Sequence, residues 1–278
     1  MNIFVKLGQD IARLWSEYAG LYLSGVWNTI SLAVLCTAVG CIIGLLCGIL
    51  NTIPYTKTDN IFKRIILRTI RIINQIYVEV FRGTPMILQA VVIYYGLPYF
   101  TNYALRFDNV WLCAFVVVSV NTGAYMAESV RGGIISIDPG QTEGAKAIGM
   151  THWQTMTNVI LPQALRNILP QIGNNLIINI KDTSVMSIIG FTEFFAIHKS
   201  VAGTSCQYFP SAAIEMVGYL SMTLIASFLL RMWEKKMDGV SNYKLVETDS
   251  LTMSAGTYSH PDKNNAFAEK NREYKGDM

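Results

Sequence analysis

Four consecutive polar residues, Lys181-Asp182-Thr183-Ser184, interrupt what would otherwise be one apolar run from Ile168 to Phe191. Ionisable side chains are costly inside a bilayer, and they normally face a bundle interior or a wet cavity, often as pairs. One reading sets Asp182, with Lys181, Thr183 and Ser184, along a path where they meet the ammonium or polar side chain of a small solute. The other makes Lys181 and Asp182 a structural pair, or ends the span at Ile180, because about 15 residues from Arg166 at ~1.5 Å each nearly reach the outer half of a bilayer. No further chemistry is offered elsewhere. The histidines, at 152, 198 and 260, form no ligand cluster, and no Ser/His/Asp arrangement emerges. A Gly-x-x-x-x-Gly-Lys-Ser/Thr phosphate loop is also absent, so any ATP that drives this chain is bound by another one. Cys36, Cys41, Cys47 and Cys113 lie in apolar runs without ligand spacing, with Cys206 in a loop, which gives neither a metal site nor a disulfide framework.

A second polar stretch, Asp138 to Pro162, carries docking signals in place of catalytic ones. Asp138 caps a short helix with Pro139 at its first position and Gln141 three residues on, and Gly149 supplies a left-handed stop. Thr151 and Gln154 repeat the capping-box spacing. The second helix aligns Trp153, Met156 and Ile160 on one stripe, and Pro162 is expected to end it.

Glu143-Gly144-Ala145, then Gly149, then Ile160-Leu161-Pro162, resemble the "EAA" loop of bacterial ABC-importer permeases, with Gly144 in place of the usual alanine. The blocks Tyr77-Val78-Glu79-Val80-Phe81-Arg82-Gly83-Thr84-Pro85, Ala124-Tyr125-Met126-Ala127-Glu128-Ser129-Val130-Arg131-Gly132-Gly133 and Lys181-Asp182-Thr183-Ser184 narrow the resemblance to the polar amino-acid subfamily, from about Gly20 to Trp233. The resemblance implies a coupling loop over residues 138–162 that sits in a cleft of a cytoplasmic ATPase. Glu143, Gly144, Ala145, Lys146, Gly149, Trp153, Ile160, Leu161 and Pro162 are its coupling residues. For Glu143 and Lys146 the plain alternative is a solvated helix surface; for Trp153 it is anchoring at the lipid headgroups. Two ABC ATPase chains carrying ATP and Mg, a second permease subunit, identical or homologous, and an external amino-acid-binding protein are the implied partners, with no cofactor on this chain.

The elements that must position these residues are membrane spans. With 51% hydrophobic and 15% charged residues and a mean hydropathy of +0.33, the 278-residue chain is too apolar for an ordinary soluble domain. Its net charge of +3 gives no reason to expect nucleic acid, because the basic residues border apolar runs. Tyr18 to Thr56 carries no charge, and about 20 apolar residues suffice to cross a bilayer, which places a first span near Val26–Leu50. Gly40, Gly44 and Gly48 within it form a close-packing face. Lys57 to Arg82 reads as a cytoplasmic-surface helix leading into the membrane and broken at Gly83-Thr84-Pro85. Further spans follow at about Gly83–Leu105, Val110–Ala127, Leu165 to Lys181 and Ser211–Leu230. Glu128 with Arg131, and Glu79 with Arg82, are spaced for helical (i, i+3) pairs of structural use.

Lys and Arg concentrate in the loops of one side, 12 against 4, which puts the N-terminus outside and the C-terminus in the cytoplasm, with lipid around the spans. The expected architecture is therefore all-α and polytopic, about five transmembrane helices of the ABC type I importer permease fold. It comprises an external N-terminal segment over residues 1–20, in which Ile3 to Tyr18 is either an ordered leader with no separate role, the reading preferred, or an amphipathic helix at the membrane surface, a transmembrane permease domain over 21–235, and a disordered cytoplasmic tail over 246–278. The charged N-terminus lacks the order of a cleavable signal peptide. The expected function is ATP-driven import of polar amino acids across the bacterial cytoplasmic (inner) membrane. A solitary secondary transporter or channel, which would normally show internal repeats, and a membrane docking scaffold are the alternatives.

Overall fold

A computed structural model describes residues 3–53 and 60–237; the tail expected over 246–278 lies outside the described residues. Among these residues every regular element is helical. The helices are α1 (Ile3–Thr52), α2 (Ile61–Gly83), α3 (Met86–Phe100), α4 (Val110–Ile135), α5 (Pro139–Ala147), α6 (His152–Ile189), α7 (Phe194–Ser205) and α8 (Tyr208–Met237). By length and composition α1, α4 and α8 can each cross a membrane; α2 with α3, bent by 110°, and α6 with α7, bent by 54°, make up to five spans among the described residues.

The N-terminal residues do not form a separate surface helix. Ile3 to Tyr18 is the first part of α1, whose 50 residues reach about 75 Å at ~1.5 Å per residue. Leu14 and Tyr22 are fully buried, in one cluster with Phe194, Val201 and Ile214. An amphipathic stripe carries no mark of where a helix stops, and nothing between Tyr18 and Val26 breaks one.

The three glycines of α1 do make the packing face. A Cβ on Gly40 would meet Thr122, one on Gly44 would overlap Met126 and one on Gly48 would overlap Val130, so that each four-residue step on α1 matches a four-residue step on α4. Numbers rise together along both helices, which makes α1 and α4 parallel and requires an odd number of crossings between them. The break at Gly83-Thr84-Pro85 supplies that crossing: α2 stops at Gly83, Thr84 is extended and α3 restarts at Met86. Along α2 the bonds Arg71 Nη2 to Ile53 O, 2.6 Å, Asn74 Nδ2 to Cys47 O, 3.0 Å, and Tyr77 Oη to Val120 O, 2.6 Å, show its second half climbing against α1 into the bundle. Its first half leaves Ile61, Phe62, Ile65 and Ile66 exposed, as a helix that leads in from the membrane surface would.

Helix α6 runs antiparallel to α4, with Gly133 against Ile168 and Thr122 against Asn179. Buried Asn179 ties three helices together: its Nδ2 donates to Thr37 Oγ1 of α1, 2.8 Å, and to Thr122 Oγ1 of α4, 3.0 Å. Away from water such bonds have few competitors. Helix α8 in turn opposes α6, with Leu230 at Gly173. Directions therefore alternate along the chain, and the described chain starts and ends on opposite sides.

Candidate functional site

The polar stretch between α4 and α6 folds locally, by its own caps. Asp138 accepts from Gly140 N at 2.6 Å ahead of Pro139, and α5 closes on a double turn in which Gly149 N donates to Lys146 O, 3.0 Å, and Met150 N to Ala145 O, 3.1 Å. That pairing needs a left-handed residue, which Gly149 provides at φ 82°. Thr151 and Gln154 form a complete capping box. Gln141 does not complete the one at Asp138. Its side-chain oxygen instead accepts from Gln163 Nε2 at 3.4 Å, which fastens α5 to the start of the long helix.

Pro162 does not end the second helix. The chain continues through it as α6, because Met156–Ile160 widens into a π-helical turn ahead of the proline. A wider turn removes the ring's clash with the carbonyl four residues back and absorbs the missing N–H. The loop is thus welded to a membrane helix with no flexible break between them.

Its two faces differ. Ala145, Met156 and Ile160 are buried and Leu161 is half-buried, while Glu143, Gly144, Lys146, Gly149 and Pro162 are exposed. Trp153 is 66% exposed and Ile148, absent from the sequence expectation, 76% exposed. The stripe of Trp153, Met156 and Ile160 therefore splits, with the tryptophan outward and the other two inward. Partial burial and the neighbouring Lys146 charge hold the His152 imidazole below the usual histidine range.

At the far end of α6 the four polar residues are separated. Thr183 is fully buried and donates to Ile180 O at 3.0 Å, and Asp182 is exposed. Lys181 and Ser184 line a cavity of about 350 Å³ together with Ala212, Glu215, Met216 and Tyr219. A second polar cavity of about 450 Å³ lies between α1, α2 and α4, lined by Arg71, Glu79, Arg82, Glu128 and Arg131 among others. There Glu128 receives Arg131 Nε at 3.1 Å, the expected (i, i+3) pair. Arg82, expected to meet Glu79, instead reaches Glu128 at 3.9 Å and lies over the Tyr125 ring, which ties α2 to α4.

Sequence reasoning missed a buried polar network around the α6–α7 turn. Glu193 caps α7, accepting from Phe195 N and Ala196 N at 2.7 Å each, and takes Tyr219 Oη at 2.8 Å. His198 bonds Ser211 Oγ, 2.9 Å, which bonds Tyr22 Oη, 2.7 Å, while its Nε2 stands 3.7 Å from Glu215. The available signal was Glu215 itself, an acidic residue within the expected fifth span. Among the described residues no cluster of His, Cys, Asp or Glu has the arrangement to hold a metal ion.

A many-times-spanning helical bundle that presents a rigid, capped loop at one end and polar cavities within is a membrane permease in its class. The description "Binding-protein-dependent transport system inner membrane component" matches residues 40–239, and the chain belongs to that family. It is the membrane component of a transport system, not itself an enzyme. It is 37% identical over 228 residues to the glutamine transport system permease protein GlnP of Escherichia coli K12, covering 82% of this chain and 97% of that one. With the arginine transport system permease protein ArtQ of Bacillus subtilis 168 the identity is 33% over 215 residues, 77% of this chain and 91% of the relative. The crystal structure of an amino acid ABC transporter with histidines superposes at a TM-score of 0.69 with 32% identity, over 80% of this chain and 96% of that chain.

Proposed function

We propose that this chain is the permease subunit of an ATP-driven importer of polar amino acids, and that the outward face of the 138–162 loop is where ATPase closure enters the membrane. The observation that carries the reading is the loop's construction: Glu143, Gly144, Ile148 and Trp153 are exposed on a piece capped at both helices and continuous with α6. A rigid lever of this kind transmits a push, whereas a flexible loop would absorb it.

The complete assembly on this reading holds two permease subunits, two cytoplasmic ABC ATPase chains that bind ATP and Mg, and an external amino-acid-binding protein. The loop lies in the cytoplasm, the N-terminus outside. ATP-driven closure pushes the paired loops together and favours an outward-open packing; hydrolysis returns the inward-open one, a population shift between two states. Support for amino acids as cargo comes from the names of the relatives and from the polar residues at the end of α6, of which Lys181 and Ser184 line a cavity.

The test is affinity purification of the chain from native membranes in mild detergent with mass spectrometry of what accompanies it. An ATPase chain is expected with the wild type and lost when Glu143 and Gly149 are replaced in a well-inserted variant. Recovery of the permease alone, with uptake that persists after ATP depletion, would overturn the reading.

A further inference from the structure

We propose that Glu215 of α8 binds the ammonium group of the transported solute, across the small cavity from Lys181, and is held for that task by a buried relay that begins at Tyr22 of α1. This rests on the importer reading above and adds a residue and a ligand chemistry to it.

The cavity has opposite charges on two different helices: Lys181 on α6 and Glu215 on α8, with the Ser184 hydroxyl beside them and Tyr219 and Met216 as walls. Its volume of about 350 Å³ suits one small zwitterion with some water. An α-amino acid presents an ammonium and a carboxylate on the same carbon, so a cavity offering one acid and one base recognises the backbone of the solute and leaves the side chain to be read elsewhere. Carboxylate to ammonium and ammonium to carboxylate are charge-assisted bonds, the stronger kind.

Glu215 is built in. Its side chain is 11% exposed, and one carboxylate oxygen stands 3.7 Å from His198 Nε2. The His198 ring is 1% exposed, its other nitrogen bonded at 2.9 Å to Ser211 Oγ, which meets Tyr22 Oη at 2.7 Å. The carboxylate thereby stands against a hydrogen-bonded chain of three side chains, His198, Ser211 and Tyr22, that reaches the wall of α1. It offers up to about four lone-pair positions, and the His198 contact, longer than a hydrogen bond, occupies none of them. Tyr219 cannot serve in its place, because its hydroxyl donates to Glu193 at 2.8 Å; its ring remains as a wall against which a cation is favoured. A buried acid kept only for packing would find no use for a lysine across an open cavity.

The test uses the purified permease–ATPase complex without the binding protein, with radiolabelled L-glutamine and glutaramate, the same molecule lacking the ammonium, as probes. For the wild type, glutamine should bind at least about tenfold more tightly than glutaramate, the size of one charge-assisted bond. Glu215→Gln should erase that preference by weakening glutamine while leaving glutaramate unchanged, and Glu215→Asp should retain it. If Glu215→Gln fails to assemble, Lys181→Met, at an exposed side chain, decides the matter by weakening both probes alike, since both keep the carboxylate. An unchanged preference in Glu215→Gln, or unchanged affinities in Lys181→Met, would overturn the proposal. Vesicle uptake of glutamine by the complete system separates the two readings: uptake without cavity binding refutes this site alone, and no uptake of any polar amino acid refutes the importer reading with it.

Discussion

Single atoms set the limits of this bundle at Gly44 and at Asn179. Any Cβ at Gly44 overlaps Met126, so Gly44→Val must push α1 and α4 apart along a seam that also holds Gly40 and Gly48. Overpacking of this kind costs about 1–3 kcal/mol, and the variant should show a lower melting temperature in detergent and reduced membrane yield, both absent in a matched Gly20→Ala at an open position. At Asn179 the expected loss is smaller, about 0.5–1.5 kcal/mol for Asn179→Leu, because polar bonds between membrane helices are individually modest. At His152 the direction of titration follows from its surroundings. Its folded pKa lies below the ordinary 6.5, so the folded loop favours the neutral ring. That stability is present above the unfolded value and is lost as pH falls through 6.5 and on through the folded pKa. Acidification of the purified complex should destabilise the wild type more than His152→Gln; equal pH profiles for the two would show that the imidazole is not the titrating group.

Among the elements, the turns and caps of the 138–162 loop were legible in the sequence, since caps are local: Asp138, Gly149 and the Thr151–Gln154 box each act within a few residues of themselves. The same reasoning failed at Pro162, where a π-helical turn spread over the preceding five residues made room for the ring. It left the stretch before Val26 open between a leader and a surface helix, because no local feature marks where the span begins and only burial of Leu14 and Tyr22 ties it to the bundle. The network of Tyr22, His198, Ser211 and Glu215 lay beyond sequence reading for another reason, as its members are up to 193 positions apart and meet only by helix packing. Thr151→Ala tests how much the loop's rigidity matters. Loss of the cap should cost about 1 kcal/mol locally. If the loop is a lever, ATP hydrolysis stimulated by the external binding protein should fall several-fold while hydrolysis by the isolated ATPase stays the same. Full stimulation in Thr151→Ala would mean that the cap only shapes the loop and does not brace it.

On the scale of the whole molecule, helix directions and residue chemistry make a joint prediction about sidedness. The glycine seam makes α1 parallel to α4, and α6 and α8 then alternate, so the turn between α7 and α8 faces the side on which α1 begins. The excess of Lys and Arg lies in the loops of the other side, and basic loops stay in the cytoplasm. Cys206 sits in the α7–α8 turn, exposed, at a left-handed φ of 55°. The other four cysteines are buried or half-buried among the helices. The native chain therefore carries its own reporter: a membrane-impermeant maleimide added outside spheroplasts should label it once, and Cys206→Ser should remove the label. A cysteine placed at exposed Ile148 in the Cys206→Ser background should react only after the membrane is opened, and should be protected when the ATPase chain is bound. Labelling of position 148 from outside would invert the molecule, put the 138–162 loop out of reach of a cytoplasmic ATPase and leave the importer reading without its motor. Labelling of Cys206 from outside, with position 148 shielded by the ATPase, would fix in one experiment both the orientation of the chain and the face through which it is driven.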